Sequence, residues 1–223
     1  DALDTAVTRD GRAYLLVDGS ASMNYASDGI TKFDYACTLT ASLAYLVLKQ
    51  QDAAGVVTFS DKIESFIPPR SKRDYLSQII HALENRGPAG ETNVAKILDE
   101  LAGQIRRRGL IVLISDLLDE PEQIVKGLRQ FRFKGNDVIV FHLLDQAELD
   151  LPFDGNILFE DLEAANLQVI ADPRAIRATY KEVVQEFVTD MRKQCHDSAI
   201  DYQLISTATP LDQALASYLS WRG

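Results

Sequence analysis

In the stretch YLLVDGSASM, Asp18, Ser20 and Ser22 set three small oxygen-bearing side chains at i, i+2 and i+4, directly after an apolar run. A turn needs only one or two such residues; three at this spacing in a loop can converge on one point. Carboxylate and hydroxyl oxygens are hard donors. They suit Mg²⁺ or Mn²⁺, and Mg²⁺ in particular keeps several waters and takes few protein ligands. No Cys or His lies near enough in sequence to argue for zinc. Two more residues offer the same chemistry. Thr92 lies in the glycine-containing loop of PAGETNVAK, just before a helical stretch, where it or Asn93 could equally cap that helix. Asp116 closes the apolar run LIVLISD, where it could equally open a turn or cap the helix after Pro121.

The elements that must position these residues are legible from hydrophobic pattern. AYLLVD, GVVTF, LIVLIS, DVIVFHLL and YQLIS are short runs, apolar on both faces, as buried parallel strands require. Thr31 to Gln50 is apolar almost all round, as expected of a helix packed deep against a sheet. Tyr75, Leu76, Ile79, Ile80 and Leu83 form one helical stripe, Val94, Ile97, Leu98, Leu101 and Ile105 a second, and Ile124, Leu128 and Phe131 a third. Pro121, Pro173 and Pro210 stand near helix starts. KIESFIPP follows GVVTFS so closely that it reads as an antiparallel edge partner, ended by Pro68-Pro69. The alternation predicts an α/β fold, doubly wound around a mostly parallel sheet. In such sheets, sites form at the carboxyl ends of the strands, most often beside the switch point, and Asp18 and Asp116 each stand at such a strand end.

After Leu144 the pattern loosens into an insert over about 145–172, within which NILFEDLEAANLQVI reads as a small hairpin. Ile176, Tyr180, Val183, Phe187, Met191 and Cys195 then mark a long amphipathic helix, and a last strand and helix close the chain. The 223 residues suit one domain.

Composition narrows the function. Lys and Arg number 23 against 33 Asp and Glu, a net charge of -10, which disfavours a general nucleic-acid binder. Cys37 and Cys195 match neither a disulfide framework nor a CxxC pattern, so they are expected reduced in a cytoplasmic protein. No apolar run approaches the length of a membrane span. The chain opens on Asp1 and not on methionine, as a piece of a longer protein would.

Catalytic readings find little support. His81, His142 and His196 have no nucleophile at a telling spacing, and there is no GxSxG elbow or Walker-type glycine loop. Arg106 to Arg108 follow a helix, where positive charge complements the dipole; RSKR at 70–73 is a second basic cluster.

The ordered set Asp18, Ser20, Ser22, Thr92 and Asp116 resembles the metal-ion-dependent adhesion site of von Willebrand factor type A (VWA) domains. LLVDGSASM, KFDYACTLTASLAYLVLKQQDAAGVVTFSDKI, GETNVAKILDEL, GLIVLISDLLD and the segment from Leu144 to Pro173 resemble DUF58, a bacterial VWA-like family. The resemblance implies strand order 3-2-1-4-5-6. It also implies that Ser20, Ser22 and Thr92 bind Mg²⁺ or Mn²⁺ directly or nearly so, with Asp18 and Asp116 acting partly through water. A protein partner would then present an Asp or Glu to the ion. The family's usual gene neighbours imply a MoxR-type AAA+ ATPase as that partner, in chaperone-like or complex-assembly work. The alternative is a Mg²⁺-dependent phosphoester hydrolase using the same carboxylates, which lacks an evident nucleophile or phosphate cradle.

Overall fold

The structure is a computed structural model that describes residues 10–72, 74–84, 87–90, 93–160, 162 and 168–222. Its strands are β1 (Arg12–Asp18), β2 (Ala53–Phe59), β3 (Ile63–Arg70), β4 (Leu110–Ser115), β5 (Asp137–Leu144), β6 (Ile157–Glu160), β7 (Gln168–Ala171) and β8 (Asp201–Ser206). Six of them form the main sheet in the order β3-β2-β1-β4-β5-β8. All its pairings are parallel except that of β2 with β3. This is the order the family resemblance implies, with β8 as sixth strand because β6 and β7 pair only with each other as the insert's hairpin.

Both faces of the sheet are covered, which is why its central strands are apolar at successive positions. Leu15, Val17, Val112 and Ile114 face α1 (Lys32–Lys49), α2 (Tyr75–Glu84) and the start of α7 (Leu211–Arg222). Tyr14, Leu16, Ile111 and Leu113 face α3 (Val94–Gln104), α4 (Pro121–Phe133) and α6 (Pro173–Asp197). Cys37 packs against the first cluster and Cys195 belongs to the second, so the sheet stands between the two free thiols. Burial pushes both thiols up to about 12. Among the described residues no helix is long and apolar enough to cross a membrane.

Two features depart from the sequence expectation. Pro68 and Pro69 lie inside β3 and do not end it. An edge strand tolerates proline where no ladder donor is needed, and a bulge opposite Gly55 accommodates the pair. A side chain at Gly55 would come within 2.6 Å of the Ile67 carbonyl oxygen, so glycine is required there. The second departure is α5 (Gln146–Asp150), a single capped turn within the insert. The long amphipathic helix expected from Ile176 to Cys195 is α6; Met191 and Cys195 are buried, while Ile176 and Val183 are 42% and 58% exposed. At 1.5 Å per residue, this 25-residue helix is longer than the six-residue strand beside it. Its first turns extend past the sheet to the insert, where Arg177 donates to the Leu151 and Phe153 carbonyls and the Tyr180 hydroxyl donates to that of Glu148.

Candidate functional site

Parallel pairing of Val17 with Ile114 brings the carboxyl ends of β1 and β4 side by side. Ser115 donates its hydroxyl to Asp18 Oδ2 at 2.6 Å and accepts the Leu117 amide at 2.9 Å. The Ser20 amide donates to Asp18 Oδ1 at 2.9 Å, curling the loop back over the strand end. A 3-10 turn over Ala21–Asn24 then carries Ser22 inward, leaving the Ser20 and Ser22 hydroxyl oxygens 3.1 Å apart. Asp18, Ser20 and Asp116 are fully buried and Ser22 nearly so. Leu117, next to Asp116, has φ of +56° with its side chain buried. A non-glycine residue held in the left-handed region marks local strain of the kind that collects at functional sites.

The third loop approaches through backbone contacts. The Ala89 amide donates to the Gly19 carbonyl at 2.9 Å, and the Ala21 amide to that of Gly90 at 3.0 Å. Asn93 is the cap of α3, accepting the Lys96 amide at 3.0 Å. Thr92 itself lies outside the described residues. Asp116 caps nothing, since α4 starts at Pro121 behind Glu120.

Sequence reasoning missed Lys32. This first residue of α1 is fully buried, and its ammonium lies 2.7 Å from Asp116 Oδ2 and 2.6 Å from Glu148 Oε1. The Tyr25 ring stands 5.9 Å from the same nitrogen. Burial works against the charge, but the carboxylates of Asp116 and Glu148 outweigh it and hold the Lys32 pKa above its ordinary value. A signal was present, because lysine in the first turn opposes the helix dipole and so calls for nearby anions.

Asp145 makes a second tie across the same rim. It is buried and caps α5 through the Ala147 amide at 2.8 Å, while Glu148 returns to the Asp145 amide at 2.7 Å. Asp145 also accepts the amide and the hydroxyl of Ser27 and, at 3.3 Å, the hydroxyl of Thr207. Burial would push its carboxyl up, but these donors, Ser27 first, together hold it below the usual Asp range. The loop after β1 is thereby fastened to the segment after β5.

The rim carries an excess of negative charge. Burial, and next the negative charge of Asp116, raise the Asp18 carboxyl well above its usual range, with the Ser115 and Ser20 hydrogen bonds opposing them only in part. Among the described residues, Asp116 Oδ1 is buried without a hydrogen-bond partner, while its twin oxygen meets Lys32. A buried carboxylate oxygen left without a donor, on the sheet edge that also carries the paired Ser20 and Ser22 hydroxyls, fits a hard cation. Among the described residues, no group of three or more His, Cys, Asp or Glu side chains is gathered to hold a metal. His142 is buried, with Nδ1 2.6 Å from the Tyr202 hydroxyl and its ring against Phe187. Arg106 to Arg108 precede the amino end of β4, at the pole opposite the site.

The fold has solved counterparts. The conserved hypothetical protein BatB from Bacteroides thetaiotaomicron superposes with a TM-score of 0.62 at 16% identity, over 94% of this chain and 97% of that one. The SpRpn10 VWA domain gives 0.55 at 11% identity, over 93% and 94%. These likenesses establish a VWA-like fold. Among curated relatives, the uncharacterized protein Rv1480 of Mycobacterium tuberculosis is 24% identical over 188 residues, covering 83% of this chain and 59% of its own length. The chain thus spans somewhat over half of that relative. The model of the family described as "Protein of unknown function DUF58" matches residues 4–189, and the chain belongs to the DUF58 family.

Proposed function

We propose that this domain is a divalent-metal-dependent protein-interaction module, and not an enzyme. Asp18, Ser20, Ser22 and Asp116, joined by Thr92 on the strength of the family resemblance, would hold Mg²⁺ or Mn²⁺. The bound ion would supply a coordination position that a partner's Asp or Glu can take from water. The observation that carries this reading is Asp116 Oδ1, buried at the end of β4 with no hydrogen-bond partner among the described residues, on the sheet edge that also carries Asp18 and the paired Ser20 and Ser22 hydroxyls. Leu118, two residues on, is 52% exposed and offers apolar surface next to the rim. A chain of net charge -10 repels an acidic partner surface unless a cation intervenes, so recognition should require the metal.

We take the partner to be a MoxR-type AAA+ ATPase, on the family's gene neighbourhood, and the setting to be the cytoplasm. The test is binding of the domain to such an ATPase from the same organism, measured in Mg²⁺, in chelator, and with Thr92→Ala in Mg²⁺. Binding should fall at least about tenfold in the last two conditions, the loss of one charge-assisted contact. Equal binding in all three would remove the site from the recognition surface.

A further inference from the structure

We propose that Lys32 is a tethered cation that competes with the metal for Asp116 and so sets the divalent-ion affinity of the rim. The inference rests on the metal-binding reading above and deepens it. Its basis is the sharing of one fully buried ammonium between two carboxylates on different elements. Asp116 follows β4 at the centre of the site, and Glu148 lies on α5 at 23% side-chain exposure.

Lys32 therefore has two places to put its charge. With Asp116 engaged, the ammonium neutralises the site from within, satisfying Oδ2 and leaving Oδ1 without a partner among the described residues. A divalent ion drawing on Asp116 weakens that contact by repelling the ammonium, and Glu148 keeps Lys32 paired through the exchange. A lysine stem is flexible enough to shift its head without moving α1. Glu148 is held ready for this, since its other oxygen accepts the Asp145 amide at 2.7 Å and its carbonyl accepts the Tyr180 hydroxyl at 2.8 Å. The rim thus remains tolerable without metal, at the expense of weaker metal binding.

Calorimetric titration with Mn²⁺ and thermal melts in chelator and in excess Mg²⁺ test this. Lys32→Met keeps the bulk of the side chain and removes its charge. It should bind Mn²⁺ about tenfold tighter or more than wild type. Its melting temperature in chelator should be lower than that of wild type, and excess Mg²⁺ should raise it further than it raises wild type. Because Lys32→Met strands two carboxylates, the same comparison is made between Glu148→Gln and Lys32→Met/Glu148→Gln, which leaves fewer buried charges unpaired. Tightening in that pair supports the competition. Equal Mn²⁺ affinity with and without Lys32, in a protein that binds Mn²⁺, overturns this inference alone. No binding in any variant overturns the metal reading and this inference with it.

Discussion

Asp116→Ala is expected to lower stability by about 3–5 kcal/mol, the usual cost of removing one partner of a buried ion pair. The carboxylate that disappears is fully buried and 2.7 Å from an ammonium that is also fully buried. Glu148 remains as the only charged partner seen for Lys32 among the described residues, and it is partly exposed. Relief of repulsion between Asp116 and Asp18 offsets part of the loss, which places the result nearer the lower end of that range. Urea denaturation in chelator measures it without any contribution from metal. A loss below about 1 kcal/mol would mean that the Lys32–Asp116 pair behaves as an exposed one, which the burial of both side chains excludes.

Asp145→Ala should cost about 3 kcal/mol, combining the loss of a helix cap with stranded donors on Ser27 and Thr207. Its pH dependence identifies the cause. Hydrogen bonding holds the native Asp145 carboxyl below its ordinary value, so its contribution is complete above about pH 4, the unfolded value for Asp. It is lost as the pH falls through the lower native value. The gap between wild type and variant should therefore be full at neutral pH and close in acid, when followed by denaturant midpoints. A gap independent of pH would assign the effect to packing.

Residues whose neighbours repeat a pattern were the ones legible in the sequence. Asp18 and Asp116 each follow a strand that is apolar on both faces, and that local fact places them at one edge of a doubly wound sheet. Ser20 and Ser22 were visible through their spacing. Lys32 was hidden because it opens an otherwise apolar helix and its partners are 84 and 116 residues away, a distance over which periodicity carries no information. The turn of α5 is five residues long, too short for a helical stripe, although Asp145 and Glu148 spell a capping box three residues apart. The stripe of α6 was legible as a helix but not in its depth of burial, because a stripe records which residues align, and not whether a sheet lies beneath them.

Calorimetric titration of the domain with Mg²⁺ and with Mn²⁺, repeated on Asp18→Ala and Ser20→Ala, tests the metal site most directly. The site described here predicts one ion per chain, weakened about tenfold or more by Ser20→Ala and most severely by Asp18→Ala, which removes the carboxylate that organises the first loop. Wild-type protein that takes up neither ion, or variants that bind as tightly as wild type, would contradict it.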